Sequence, residues 1–297
     1  LEFRRVLFRS SLMKLPGLNT VITGGSQGFG RHIVEAFLAE GANVVFCARN
    51  LADVQRTEAE LRPGLKPGQR LVGAACDVGD AAQVEALFRK LDWGPLGAVV
   101  SNAGVYGPIG PTDEISLTEW AQALQINLNG TLHVCREAMR AMKPRKQGKI
   151  ITISGGGATN PMPRFASYAA TKAAVVRLTE TLAEELREFS IDVNAVAPGA
   201  LKTRLTEQVL AAGPARAGDA FFAKNKKWSD EGAVDPKLGA GLCVWLASAA
   251  SNGITGKLLS AQWDPWKDGT LEAKREALKS DIYCLRRIVP EDRGQKW

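Results

Sequence analysis

Asn19-Thr-Val-Ile-Thr23-Gly24-Gly25-Ser26-Gln27-Gly28-Phe29-Gly30 is the stretch on which the reading of this chain turns. Asn19 to Thr23 is a short β-rich run. It leads directly into a glycine cluster, and Gly28 to Glu40 then carries helical spacing. A glycine-rich turn from strand to helix lets backbone approach a pyrophosphate, while the helix N-terminus offers free N–H donors and a positive dipole end. The T-G-x-x-x-G-x-G spacing of Thr23 to Gly30 differs from G-x-G-x-x-G but serves the same physics. A glycine cluster can also be an ordinary tight turn. Here it forms the first turn of a βαβ unit, where a dinucleotide site is expected.

Working outward, β-rich runs alternate with amphipathic stretches. Strands are predicted over Asn19–Thr23, Ala42–Cys47, Arg70–Cys76, Ala98–Ser101, Lys149–Ser154, Ile191–Val196 and Gly256–Ser260. Helices are predicted over Gly28–Glu40, Leu51–Leu61, Ala81–Leu91, Ser116–Met142, Tyr168–Phe189 and Pro236–Ser248, with an irregular insert over Ala200–Ala233. This alternation predicts an α/β fold: a single doubly wound parallel sheet, Rossmann-like, with helices on both faces and a C-terminal extension. Residues 1–12 read as a non-native or disordered leader, with Met13 as the start of the native chain. Residues 13–261 form the dinucleotide-binding domain, and residues 262–297 an extension packing on the body or on a neighbouring subunit.

The 297 residues, 45% of them hydrophobic, suffice for one sizeable core. No apolar run approaches the roughly 20 residues that span a bilayer, so no membrane partner is expected. A net charge of +7 is scattered rather than striped, which favours an anionic cofactor or substrate over nucleic acid. The five cysteines, Cys47, Cys76, Cys135, Cys243 and Cys284, are odd in number and widely spaced. That argues for a reducing, cytoplasmic setting and against disulfides or a zinc site.

The second strand ends at Ala48-Arg49-Asn50. An acidic residue here would hold the adenosine ribose; Ala48 cannot, and Arg49 can pair with a 2′-phosphate. NADP(H) is therefore expected over NAD(H), with NAD(H) still possible. Asp77 and Val78 follow the third strand, where they can hold the adenine edge. Asn102-Ala103-Gly104 ends the fourth and brings small groups beside the cofactor. Tyr168-Ala-Ala-Thr-Lys172 places a phenol and an ammonium on one helix face. A nearby cation lowers a phenol pKa from its usual ~10.

Taken in order, Thr23-Gly24-x-x-x-Gly28-x-Gly30, Cys76-Asp77-Val78, Asn102-Ala103-Gly104, Asn127-Leu-Asn-Gly130, Tyr168-x-x-x-Lys172 and Pro198-Gly199 with Thr203 resemble the short-chain dehydrogenase/reductase family across roughly residues 15–261. The resemblance implies that Tyr168 protonates a ketone oxygen, or deprotonates an alcohol in reverse. Lys172 would lower the Tyr168 pKa and bind the nicotinamide ribose, and Asn127 would sit in a helix kink and hold a water. Pro198, Gly199 and Thr203 would line the nicotinamide site. It further implies a homodimer or homotetramer, and a substrate that is a small-molecule carbonyl or alcohol, such as a 3-oxoacyl thioester.

One departure stands out. The family's spacing back from Tyr168 puts its substrate-binding serine at position 155, which here is glycine. Either Ser154 serves in its place, or no serine hydroxyl does and backbone N–H groups of Gly155–Gly157 substitute. The insert over Ala200–Ala233 carries Phe221, Phe222 and Trp228 beside Lys224, Lys226 and Lys227, a mixture suited to an apolar substrate with an anionic end. The alternative to an oxidoreductase is a dinucleotide-binding sensor or scaffold with weak catalysis, which Gly155 alone supports.

Overall fold

The computed structural model describes residues 13–295, so the expectation for the 1–12 leader lies outside the described residues. Seven strands form one sheet: β1 Asn19–Thr23, β2 Asn43–Ala48, β3 Leu71–Ala75, β4 Leu96–Ser101, β5 Gly148–Ile153, β6 Ile191–Ala197 and β7 Leu258–Ser260. Their order is β3-β2-β1-β4-β5-β6-β7, and every pairing is parallel. Parallel strands are covered on both faces, which is why β2, β4 and β5 read as near-continuous apolar runs. Successive side chains point to opposite faces. Ile22, Phe46, Val100 and Ile151 enter one core with helices α1 (Gly28–Ala39) and α9 (Pro236–Ala247). Val21, Val45, Val99 and Ile150 enter the other, beneath α5 (Gly130–Met142) and α6 (Ala166–Glu185).

The direction of chain winding reverses between β1 and β4, and in such sheets ligands bind outside the carboxyl ends of the strands at that point. The remaining early helices, α2 (Leu51–Leu61), α3 (Ala81–Phe88) and α4 (Leu117–Leu124), leave that end open. The single helix expected over 116–142 is divided: a π-helical turn, Gln125–Asn129, separates α4 from α5. The insert expected to be irregular is also helical, as α7 (Arg204–Ala217) and α8 (Asp219–Glu231). Gly213 interrupts α7 with φ 73°, just before Pro214, and Gly218 (φ 83°) divides the two helices. These breakers make the sequence look like a loop, whereas each piece between them is regular.

Beyond β7 the chain folds back on the body. Trp266, Leu271 and Leu278 join the core under α9, and Trp245 Nε1 donates to Glu272 at 2.7 Å. The extension forms one helical turn, Thr270–Ala273 (α10), and a 3-10 turn at Ala277–Lys279. Leu258 N donates to Tyr283 O at 2.8 Å, so the tail runs along the outer edge of β7. All five cysteines are free; four are buried and Cys284 is half-buried. No described helix is long and apolar enough to cross a membrane. No cluster of metal-ligating side chains occurs among the described residues.

Candidate active site

A cavity of about 1370 Å³ lies across the carboxyl ends of the strands. Gly24, Ala48, Cys76, Asn102, Ile153, Ala197 and Ser260 line it, one from the end of each of the seven strands.

Main chain forms the wall at the β1–α1 turn. Gly24 has φ 69° and Gly28 φ 53°, a region that favours glycine. A Cβ on Gly30 would collide with the Gly24 carbonyl. Ser26, Gln27 and Phe29 complete the turn and line the cavity with the glycines. The turn is stitched to β4: Asn102 N and Ala103 N donate to Thr23 Oγ1 at 3.0 and 3.1 Å, and Asn102 Nδ2 donates to Thr23 O at 2.9 Å. This cradle has the form a pyrophosphate requires, open backbone at a helix N-terminus with no side chain in the way. Arg49, Asp77 and Val78 line the adjoining end. Arg49 is exposed and joins no ion pair among the described residues. Asn50, in contrast, does not line the cavity. Its side chain caps α2 instead, accepting from Ala52 N at 2.9 Å and Asp53 N at 3.3 Å. Helix capping claims this asparagine because the first-turn N–H groups otherwise lack partners.

At the opposite end, α6 carries Tyr168 and Lys172 into the cavity. Lys172 Nζ donates to Ile153 O, the end of β5, at 2.7 Å and lies 5.5 Å from the Tyr168 ring centre. Asn127 stands behind them in the π-helical turn, 1% exposed. Its amide makes a two-way bond with Val105: Val105 N donates to Oδ1 at 2.8 Å and Nδ2 donates to Val105 O at 2.8 Å. Nδ2 also reaches Thr171 Oγ1 at 3.1 Å, on the α6 turn between Tyr168 and Lys172. The π turn thus locks the β4 loop to the tyrosine helix, and Thr131 Oγ1 donates to the Asn127 carbonyl at 2.7 Å. π-bulges of this kind cluster at functional sites.

Electrostatically the site is dominated by burial. Desolvation lowers Lys172 to about 8. It pushes the Tyr168 phenol up, with the neighbouring Tyr106 adding to the rise, against the lowering expected from Lys172. The reason is that burial penalises both charged forms at once. Ser154 lines the cavity but is only 2% exposed, and its Oγ is enclosed with no hydrogen-bond partner among the described residues. Pro198, Gly199 (φ 92°) and Thr203 line the cavity where β6 passes into α7. Thr203 also caps α7, accepting from Leu205 N at 3.3 Å. Tyr106, Met162, Phe221 and Trp228 form the remaining wall. Tyr106 and Met162 carried no signal in the sequence, because a lone apolar side chain in a loop belongs to no periodic pattern.

Residues 19–213 match the family model described as short chain dehydrogenase. A 3beta-hydroxysteroid dehydrogenase 1 of Eggerthella lenta is 35% identical over 82% of this chain and 92% of its own length. Among solved structures, an actinorhodin polyketide ketoreductase with NADPH superposes with a TM-score of 0.73 at 28% identity, covering 82% of this chain and 95% of the other. A gluconate 5-dehydrogenase from Burkholderia cenocepacia, in complex with NADP and tartrate, gives a TM-score of 0.73 at 27% identity, covering 84% and 95%. The chain belongs to the short-chain dehydrogenase/reductase family, whose members are oxidoreductases acting on alcohols and carbonyls with a nicotinamide dinucleotide.

Proposed function

We propose that this protein is an NADP(H)-preferring oxidoreductase that moves a hydride between nicotinamide and a ketone or secondary alcohol. The observation that carries this reading is one cavity with the glycine cradle at one end and the Tyr168–Lys172 pair at the other. When bound, the dinucleotide supplies or accepts the hydride. Gly24, Ser26, Gln27, Gly28, Phe29 and Gly30 would hold its pyrophosphate, with Asp77, Val78, Asn102 and Gly104 along the adenosine and ribose path. Pro198, Gly199 and Thr203 would flank the nicotinamide. Arg49, unpaired among the described residues and facing the cavity, would take the 2′-phosphate as a charge-assisted pair. NAD(H) lacks that group and would gain nothing from it.

The protein's own chemistry is the movement of one proton. Tyr168 carries its proton at neutral pH, as a free phenol does, and burial holds it there more firmly, so the proton is present for donation to a carbonyl oxygen. Lys172, at about 8, is mostly protonated there and stabilises the phenolate left behind. Asn127 fixes the loop and helix that bring these groups together. Positioned acids of this sort contribute about 10²–10⁴-fold in rate.

The test is oxidation of NADPH and NADH with a panel of 3-keto steroids, sugar acids and 3-oxoacyl thioesters. Turnover with NADPH ahead of NADH is expected. Tyr168→Phe is expected to lose ~10²–10⁴-fold in kcat while still binding the dinucleotide. A second reading, a dinucleotide-binding sensor with weak catalysis, draws on Gly155 and the enclosed Ser154 hydroxyl. Binding of NADPH without turnover on any carbonyl would favour it. We also place the protein in the cytoplasm, on its five free thiols, and as a homodimer or homotetramer, on the family and on exposed Leu117 and Leu132 along α4 and α5. Sedimentation velocity tests the assembly.

A further inference from the structure

Gly155 is glycine for a reason its own backbone does not give. Its conformation is extended, φ −168° and ψ 175°, which any residue adopts. The constraint comes from across the site. A Cβ on Gly155 would collide with the Tyr168 hydroxyl and stand 3.0 Å from Cζ. The phenol therefore fills the space that a side chain at position 155 would need. Ser154 does not compensate. The ladder continues through it, with Ser154 N donating to Val196 O at 2.8 Å. Ser154 lines the cavity as a residue, but its Oγ is enclosed, with no hydrogen-bond partner among the described residues. Neither residue offers a hydroxyl to a carbonyl oxygen held by Tyr168.

Tyr106 brings another phenol beside Tyr168. Its ring meets the Tyr168 ring edge-on, 4.7 Å between centres at 72°. Both phenols line the cavity, and no hydrogen bond to the Tyr106 hydroxyl occurs among the described residues. The mounting is rigid. Phe165, fully buried, packs on Tyr106 at 5.1 Å and is itself backed by Phe221 of α8 at 4.7 Å. Ser167 Oγ donates to Tyr106 O at 3.1 Å. The next residue, Gly107, has φ 73° and leaves no room for a Cβ, which would lie 2.6 Å from that of Ala123. Burial holds the Tyr106 phenol at about 12, so it stays a donor across the working range. The two phenols also influence one another, since charge on Tyr106 opposes charge on Tyr168.

We propose that Tyr106 is the second hydrogen-bond donor to the substrate oxygen, in the part that Gly155 cannot take. The inference rests on the reading of Tyr168 as proton donor. A carbonyl oxygen has two lone pairs; Tyr168 delivers its proton to one, while Tyr106 bonds to the other and keeps its own. Charge growing on that oxygen is then met by two preorganised O–H groups, and removing one such donor typically costs ~10²–10³ in kcat.

Tyr106→Phe tests this, because it retains the ring and its edge-on contact and removes only the hydroxyl. The expected result is a ~10²-fold fall in kcat, with the melting temperature and the dissociation constant for NADPH unchanged. The loss is expected in kcat, with KM for the carbonyl substrate little changed, because the bond strengthens as charge grows on the oxygen. Full activity in Tyr106→Phe, or a comparable loss in Ser154→Ala with Tyr106 unchanged, would overturn the proposal. Tyr168→Phe measured in parallel separates the two levels. If it stays active, the reading of the site fails. If it is inactive while Tyr106→Phe is active, only the role of Tyr106 fails.

Discussion

The two walls of the cavity are built by opposite means. At the glycine-turn end, main chain forms the surface, and it is fixed by strand-to-strand stitches such as Asn102 to Thr23. At the Tyr168 end, side chains form the surface, namely Tyr106, Met162, Phe221 and Trp228. They come from loops and from helices broken at Gly213 and Gly218. A pyrophosphate looks the same in every protein that binds it, so bare backbone at a helix end suffices. A particular substrate has to be recognised by shape, which needs replaceable side chains on adjustable supports.

The strongest test of this contrast lies where the walls meet. Lys172 is held at about 8 by burial, against a usual 10.5. Below pH 8 both folded and unfolded chains carry the proton, and the full cost of burying the charge is present. Between about 8 and 10.5 the unfolded chain binds a proton that the folded one has released, so stability from this group rises with pH. The whole effect corresponds to ~3 kcal/mol. Urea unfolding at pH 7 and pH 10 is expected to show this rise in the parent and not in Lys172→Met, which also loses activity.

Next in size, Gly30→Ala places a Cβ against the Gly24 carbonyl. Overpacking of this kind costs ~1–3 kcal/mol, and calorimetry is expected to show NADPH binding weakened by about tenfold to a hundredfold. Gly213→Ala, outside the cavity lining and with nothing near the missing Cβ, is expected to leave NADPH binding alone.

Smaller still is Arg49→Ala. It removes one solvent-screened charge-assisted bond, worth ~1.5 kcal/mol, the low end of the range for bonds to charged groups. NADPH affinity is expected to fall about tenfold and to lose part of its salt dependence, with NADH affinity unchanged; fluorescence titration at two ionic strengths checks both. The least effect belongs to Asn50→Ala, one residue away. It takes the cap from α2, costing ~1 kcal/mol of stability in thermal unfolding, with the affinity for either dinucleotide unaltered.

The same contrast explains what could be read in the sequence. The strands and the helices α1 and α2 lie within a residue or two of where periodicity placed them, because β1, β2 and α1 obey local rules that a single chain displays, while α3 ends three residues short of Leu91. The Gly24–Gly30 cradle was legible for the same reason. Asn50 was misplaced because one residue type can serve as cap or ligand, and only the fold decides. The π turn at Gln125–Asn129 left no mark on the apolar spacing, which one extra residue scarcely disturbs over a long helix, and only the family resemblance implied a kink at Asn127. Its purpose, holding Val105, appears only once β4 lies beside α6. The helices α7 and α8 were taken for loop because Gly213, Pro214 and Gly218 are strong breakers. Tyr106 was missed altogether. Its role depends on Tyr168, 62 positions later, and on the space over Gly155.

The tail that runs back along β7 carries a further consequence, for how this protein behaves at high concentration. An outermost strand offers unpaired amides to any other chain that can add to it. Here the Tyr283 carbonyl already occupies the Leu258 amide. A chain shortened before Tyr283 would bare that border, so the terminal segment serves as a built-in guard against fibrous self-stacking, and expression tags are better placed after it than instead of it.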